Sequence, residues 1–386
     1  MSIPGGPNGP APAAPAPPAT TAVPLLFNQS DSFVALLRQL GASLWVTTYQ
    51  AQQLLVARAT ADGISLLVRT FDKPMGLAVD ARRLALGCRD RIWLLRNAPD
   101  IAAQLEPAGT HDGCFLPRSC HVTGDIAGHE MAWATPHPQP LSPGGRGEEG
   151  DQWLVNTRFS CLCTLHPDYS FVPRWRPPFV SGLAAEDRCH LNGLALASGE
   201  GGGLAPRYVT ALGQTDTPGG WRPGKATGGC LLEVPSGEVV ARGLCMPHSP
   251  RLHQGRLWLL ESGTGRLLRL DGATGRTETV TEQLPGYARG LALAGPYAFI
   301  GLSKIRATSA MDGVPLAQRR AELKCGVAVV DLRRGQVVGG LEFETAVEEI
   351  FDVQLLPGVR FPEVVGFQKD TLQHTFIVPG ADKRID

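Results

Sequence analysis

The sequence has no excess of charge of either sign, because 36 Lys and Arg residues balance 36 Asp and Glu residues. A balanced chain lacks the positive field that holds a phosphate backbone or an anionic lipid surface. No apolar run approaches the ~20 residues that span a bilayer, and the first residues lack the charged and apolar regions of a signal peptide. These absences disfavour nucleic acid and membrane as partners, and we expect a cytoplasmic protein.

The cysteines show neither a metal-site nor a disulfide pattern. Nine cysteines in 386 residues form no C-x-x-C pair, and an odd, scattered set does not suit a disulfide scaffold. Cys161 and Cys163 have the spacing that places both side chains on one face of a strand. We therefore expect reduced thiols throughout, and core packing rather than zinc binding for this pair.

Glycine and proline are abundant instead, with 46 and 32 residues, and this composition favours many short strands joined by tight turns. Residues 1–24 are mostly Pro, Ala and Gly, which predicts a disordered tail. Residues 136–150 have no apolar periodicity and predict a disordered surface insertion. We expect one domain over residues 25–363, followed by a C-terminal extension over 364–386.

A single short helix is predicted near the start of the domain. The pattern from Asp31 to Leu40 is helical, Ser30 or Asp31 is a suitable N-cap, and Gly41 is a suitable stop.

The rest of the chain is a repeat of short strands. The segments 54–79, 230–252, 267–293 and 327–356 each read as strand, Gly-containing turn, strand, link and a further apolar strand. Their turn glycines stand where a tight hairpin needs a positive φ, and they are Gly63, Gly237, Gly275 and Gly335. With two less regular copies the repeats number six.

Six such repeats predict an all-β fold, a six-bladed β-propeller. The C-terminal strand FDVQLL should pair with the early strand LWVTTY at 44–49, so that both chain ends share one blade and the ring closes. Seven blades, with PEVVGF and HTFIV as the seventh unit, stays an alternative, as does another all-β architecture.

A closed ring would bring polar residues together at one mouth of the central channel, where inner strands begin and the next strands end. The candidate catalytic residues there are His129, His190 and Glu130. The candidate ligand-binding residues are Asn156, Arg158, Asn192, Asp216, Trp221, His248, Glu261, Arg289, Lys304, Glu348 and Asp352. Any one of them also suits a wet channel wall, and it is their convergence that indicates a site.

Two kinds of chemistry fit this set. His129, His190 and His248 could hold one divalent ion of the zinc or calcium type, with Glu130 or Glu261 as a further ligand. Without a metal, His129 or His190 could act as a general base. Arg158, Arg289 or Lys304 would then hold an anionic group of the ligand.

Several strings in the chain are jointly distinctive, among them RCHLNGLAL, MPHSPR and EEIFDVQLLPG. They resemble a family of bacterial conserved hypothetical proteins with no established activity, over roughly Leu44 to Glu363, and this resemblance implies a propeller-like fold. The inner-strand pair Asn192 and Gly193 is also similar, more distantly, to the sugar-lactonase type of six-bladed propeller. In that type Glu, Asn and Asp residues hold a divalent ion.

The leading functional hypothesis is a hydrolase or lyase that acts on a small polar or peptide-like molecule at the channel mouth. The alternative is a non-catalytic propeller that binds a peptide or a protein partner through exposed rim residues such as Trp221, Arg222 and Lys225. A third possibility is a scaffold whose polar rim is only solvated.

Overall fold

The computed structural model of the chain describes residues 23–134, 152–199, 203–306, 311–367 and 370–378. The expected insertion at 136–150 and all but the last two residues of the expected tail lie outside these ranges. No helix of the described residues is long and apolar enough to cross a membrane. The cytoplasmic location stays a prediction.

The strands follow one another in short hairpins. The first half of the chain contains β1 (Phe27–Gln29), β2 (Ala42–Thr48), β3 (Gln53–Ala59), β4 (Ile64–Thr70), β5 (Leu77–Val79), β6 (Arg83–Gly87), β7 (Arg91–Asn97), β8 (Gly113–Val122), β9 (Gly128–Trp133), β10 (Gln152–Asn156), β11 (Cys161–His166) and β12 (Tyr169–Trp175). The second half contains β13 (Leu191–Ser198), β14 (Leu204–Ala211), β15 (Gly229–Glu233), β16 (Val239–Leu244), β17 (Pro247–His253), β18 (Arg256–Glu261), β19 (Arg266–Leu270), β20 (Thr277–Thr281), β21 (Tyr287–Ala294), β22 (Tyr297–Ser303), β23 (Cys325–Asp331), β24 (Gln336–Phe343), β25 (Asp352–Pro357) and β26 (Pro362–Val364).

These strands form six antiparallel blades, as the repeat predicts. From the channel outward, blade 1 is β25-β2-β3-β4, blade 2 is β5-β6-β7-β8, blade 3 is β9-β10-β11-β12, blade 4 is β13-β14-β15-β16, blade 5 is β17-β18-β19-β20 and blade 6 is β21-β22-β23-β24. Each inner strand contacts the inner strand of the next blade, and β25 contacts β5, so that the ring is complete. The fold is a six-bladed β-propeller.

Both chain ends take part in closing the ring. β25 pairs with β2 in blade 1, with Val353 opposite Val46, which confirms the predicted pairing of the last inner strand with the first repeat strand. β1 adds to the outer edge of blade 6 and β26 adds in parallel to the outer edge of blade 2. The seven-blade alternative is therefore wrong, because PEV covers an existing sheet edge instead of starting another sheet.

The helix α1 (Asp31–Leu40) has the predicted bounds and caps. The Ser30 hydroxyl accepts the Phe33 N–H at 3.2 Å, and Gly41 ends the helix in the left-handed region with φ 57°. Phe33 and Leu37 are fully buried in a cluster with Phe299, across blades 6 and 1. Each such burial contributes roughly 2 kcal/mol, which fixes the helix over the closing blades.

Three shorter helical segments complete the described structure: α2 (Pro99–Ala102) and 3-10 turns at Pro315–Glu322 and Asp370–His374. All four repeat glycines have the predicted positive φ, from 68° at Gly275 and Gly335 to 147° at Gly63. All nine cysteines are free thiols, and Cys161 and Cys163 are buried together in one hydrophobic cluster, as expected.

Candidate functional site at the channel mouth

One mouth of the channel collects the residue at the start of every inner strand. Inner and second strands are antiparallel, so that Pro247 at the start of β17 lies opposite Glu261 at the end of β18. The six equivalent positions hold Gly76, His129, Asn192, His248, Arg289 and Phe351.

Hydrogen bonds between neighbouring blades hold this layer in place. In four junctions a hydroxyl at the end of a second strand donates to the carbonyl just before the mouth position of the next blade. These bonds are Thr47 to Met75 at 2.5 Å, Thr157 to Leu191 at 2.5 Å, Ser262 to Ala288 at 2.5 Å and Ser303 to Ile350 at 3.2 Å. In a fifth junction the Asn192 amide donates to the Pro247 carbonyl at 3.1 Å, which engages the Asn192 side chain.

His129 lies in the wall of the mouth with only 6% of its surface exposed. Its Nδ1 lies 3.0 Å from the Ala127 carbonyl and 2.6 Å from the Thr157 hydroxyl, whose own hydrogen goes to Leu191. A carbonyl only accepts, so Nδ1 carries the hydrogen and Nε2 presents a lone pair. No described group bonds to that buried Nε2. Burial, reinforced by the Arg289 charge, lowers the pKa of His129 well below its usual range, so this ring is neutral.

His190 belongs to blade 4 and faces His129, with ring centroids 5.0 Å apart. Both carboxylate oxygens of Asp187 lie 3.0 Å from its Nδ1, and the Trp221 indole N–H donates to the same carboxylate at 3.0 Å. The Trp221 ring also packs on the imidazole at 4.4 Å between centroids. The ring is therefore fixed in orientation and its Nε2 is left as the acceptor.

His248, in blade 5, is held in the same way as His129. Its Nδ1 lies 2.9 Å from the Met246 carbonyl and 3.0 Å from the Ser262 hydroxyl. Burial lowers the pKa of His248 well below its usual range, with the Arg289 charge adding to the effect. The three predicted imidazoles thus share one mouth and present Nε2 atoms that the protein's own hydrogen bonds leave as acceptors.

Arg289 is the cation of this layer. Its guanidinium carbon lies 3.7 Å from the centroid of the Phe351 ring, and the His129 ring lies 5.0 Å from the same centroid. Within the described ranges no carboxylate forms an ion pair with Arg289. Burial lowers the pKa of Arg289 to about 10, so it keeps its charge at neutral pH.

A second polar layer lies one residue further along the inner strands. The Glu130 carboxylate accepts the Leu194 N–H at 2.8 Å and Nη1 of Arg251 at 2.7 Å. Asp352 accepts the Leu77 N–H at 3.0 Å, and burial, followed by the Glu130 charge, raises the pKa of Asp352 to about 7. Glu130 is thus paired with Arg251 in the channel, and its catalytic role stays a prediction.

Several other predicted residues lie at the rim, where the chain's own bonds engage most of them. Two of them form ion pairs at 2.8 Å, Arg158 with Asp125 and Asp216 with Arg188. Two accept backbone N–H groups, Asn156 from Phe159 and Glu261 from Cys245, the latter at 3.0 Å. The backbone N–H of Lys304 donates to the carbonyl of the exposed Glu348 at 2.9 Å. Their ligand-binding roles stay predictions.

Trp221 corrects one expectation directly. The peptide-binding alternative needs it as an exposed rim aromatic, but only 2% of its surface is exposed. The indole is buried because it packs on His190 and donates to Asp187. The exposed Arg222 lies over the Trp221 ring, with its guanidinium carbon 4.6 Å from the ring centroid.

Sequence reasoning gave no role to Asp187 and Arg251, two residues that shape the mouth, and it placed Phe351 at the mouth without a function. Asp187 could have been noticed, because it stands three residues before His190 in EDRCH. Arg251 and Phe351 act on side chains of other blades, and no local spacing signals such contacts.

The metal hypothesis has partial chemical support. Imidazoles whose Nδ1–H is held by an acceptor are typical metal ligands through Nε2. However, no group of three or more His, Cys, Asp or Glu side chains in the described part of the chain is arranged to hold a metal ion. The metal stays a prediction.

The family model described as "Domain of unknown function (DUF4915)" matches residues 31–365, which include every blade. The chain belongs to this family. No curated protein matches the chain.

Among solved structures, this DUF4915 chain is similar to a chain of a nidogen/laminin complex, at 11% identity and TM-score 0.49, over 82% of this chain and 98% of that one. It is also similar to virginiamycin B lyase from Staphylococcus aureus, at 11% identity and TM-score 0.39, over 83% of this chain and 99% of that one. TolB from Acinetobacter baumannii matches at 11% identity and TM-score 0.39, over 84% of this chain and 67% of TolB. Likeness at this level carries no conclusion about activity.

Proposed function

We propose that the chain is an enzyme of the hydrolase or lyase type that acts on a small polar molecule at the channel mouth, with His190 as general base. The observation that carries this proposal is the bond between the Asp187 carboxylate and Nδ1 of His190, 3.0 Å long, at the mouth of the channel.

A carboxylate on Nδ1 does two things for an imidazole base. It selects the tautomer with a lone pair on Nε2, and it stabilises the imidazolium that forms when Nε2 takes a proton. The Trp221 N–H and the stacked indole hold both partners in place. His190 is partly exposed, so a substrate hydroxyl, an activated water or an acidic C–H can reach it.

His129 supplies a second, different acceptor beside this base. Because its pKa is lowered and its Nδ1–H is engaged, its buried Nε2 accepts a hydrogen bond but resists protonation. It would orient a donor group of the substrate while His190 moves the proton.

The proposal is tested with a panel of small esters, lactones and hydroxy acids, with product formation followed by mass spectrometry. His190→Gln should lower kcat/KM for a turned-over compound about 10²- to 10⁴-fold, the usual contribution of a positioned base. His166→Gln is the matched control, because His166 lies in the outer hairpin of blade 3 and should leave turnover unchanged. Turnover that survives in His190→Gln would refute the assignment.

The same panel separates the alternative function. A compound that binds at the mouth without being converted, in wild type and variants alike, would favour a non-catalytic recognition propeller. Metal analysis of the purified wild type and of His248→Gln tests the metal hypothesis. A stoichiometric divalent ion that is lost in the variant would support it.

A further inference from the structure

The basic residues around the mouth differ in what neutralises them. Arg158 pairs with Asp125 at 2.8 Å, Arg188 pairs with Asp216 at 2.8 Å, and Arg306 pairs with Glu349. Arg289 has no such partner in the described part of the chain, and its guanidinium carbon instead lies 3.7 Å from the centroid of the Phe351 ring. The protein thus holds a guanidinium in place without satisfying its hydrogen-bond donors with a carboxylate.

Arg289 carries the main charge among the mouth residues around it, because its neighbours are neutral or already paired. His129 and His248 are neutral, since burial and the Arg289 charge itself lower the pKa of both. Glu130 is paired with Arg251 in the layer below, and Asp352 is partly protonated at neutral pH because its pKa is raised to about 7. Arg289 is only partly exposed, and a cation partly shielded from water without a partner is costly, so an anionic ligand would lower that cost.

We propose that Arg289 binds a carboxylate of the substrate, and that the buried Nε2 of His129 accepts a hydrogen bond from a hydroxyl or N–H group of the same molecule. The substrate class is then a small carboxylic acid with a neighbouring hydroxyl or amide donor. This inference rests on the site of the proposed function and deepens it.

Two features favour a carboxylate over a phosphate. The planar guanidinium matches the two oxygens of a carboxylate in a paired, bidentate geometry. One cation beside the neutral His129 and His248 rings also balances one negative charge, whereas a phosphate monoester brings nearly two.

The test is a set of titrations followed by NMR of the histidine rings, with the His129 signal assigned by its loss in His129→Gln. The probes are lactate, lactamide, which lacks the charge, propionate, which lacks the hydroxyl, and inorganic phosphate. Lactate should shift the His129 signal in a saturable way. Lactamide and propionate should each bind more weakly, and phosphate should bind more weakly than lactate.

Substitutions of Arg289 test whether this arginine is the cation that binds the carboxylate. Arg289→Met should weaken lactate binding about tenfold or more, as expected for a lost charge-assisted hydrogen bond, and Arg289→Lys should retain part of it. Arg269→Met, which removes an arginine paired with Glu278 on the outer strands of blade 5, should bind lactate like the wild type. Circular dichroism confirms that each variant is folded.

The outcomes distinguish this inference from the proposed function. Lactate binding that is unchanged in Arg289→Met, or phosphate binding as tight as lactate binding, overturns the inference. His190→Gln should still bind lactate, because the base is not part of the anion site. If carboxylates bind through Arg289 and no compound is turned over, the anion site stands and the catalytic proposal fails.

Discussion

Arg251 of blade 5 donates Nη1 to the carboxylate of Glu130 in blade 3 at 2.7 Å, and so joins inner strands that are not neighbours in the ring. Nε of the same arginine donates to the Leu291 carbonyl of blade 6 at 2.9 Å. Its Nη1 also donates to the Leu194 carbonyl of blade 4 at 3.2 Å, so one guanidinium ties four blades together beneath the mouth.

The Glu130–Arg251 pair should affect stability mainly when one partner is removed, because the other charge is then left unpaired in the channel. Glu130→Gln should lower the free energy of unfolding by about 3 kcal/mol, because it leaves the Arg251 charge without its partner. The double variant Glu130→Gln/Arg251→Met should lose less than the sum of the two single changes. Urea unfolding of all four proteins measures this coupling, and strictly additive losses would contradict it.

The Asp352 carboxyl should make stability depend on pH. Its pKa is about 7 in the folded protein and about 3.9 in an unfolded chain, so the folded state binds the extra proton between these values. Stability from this group is therefore lost as the pH rises from about 4 to about 7. Asp352→Asn should gain stability relative to the wild type over this window.

Unfolding by urea at several pH values measures that difference. Glu349, whose pKa burial also raises to about 7, acts in the same direction and stays in both proteins. A constant difference between Asp352→Asn and wild type at every pH would show that Asp352 does not titrate there.

Asp187 is expected to act as a positioning residue for His190. Asp187→Asn preserves the shape but can donate to Nδ1, which would shift the hydrogen to Nε2 and remove the base. We expect kcat to fall about 10²- to 10⁴-fold with a smaller change in KM. Nitrogen NMR of His190 should show the tautomer change, and an unchanged tautomer would contradict the assignment.

The hydroxyl bonds between blades should each stabilise the ring by a modest amount. Thr157→Val removes the donor to the Leu191 carbonyl and a partner of His129 Nδ1 while keeping the shape of the side chain. We expect a loss of about 1–3 kcal/mol, measured by urea unfolding. Thr277→Val, on an exposed outer strand, should change stability by less than about 0.5 kcal/mol.

Gly76 should tolerate no side chain. A Cβ built at this position would lie 1.7 Å from the His129 carbonyl oxygen, so the inner strands of blades 2 and 3 would have to separate. Gly76→Ala should cost about 3 kcal/mol and disturb the His129 ring signal. Gly182→Ala, where the added carbon meets nothing within 4 Å, is the control and should have little effect on either measurement.

Local patterns in the sequence were sufficient for much of the fold. Ser30 and Gly41 bound the helix because caps act within a few residues, and Gly63 and Gly237 mark hairpins because a positive φ is a property of one residue. The closing pair of β25 and β2 also followed from counting repeats, since six inner strands and six second strands leave one of each at the chain ends.

The sequence by itself determined the repeat, the number of blades and the imidazoles that begin the inner strands. Only the tertiary structure decided which side chains of the mouth are already paired. Trp221 is buried on His190, Glu130 is neutralised by Arg251, and Arg289 keeps its charge against Phe351. Such pairings depend on distances of a few ångströms between blades, and those distances exist only once the ring has closed.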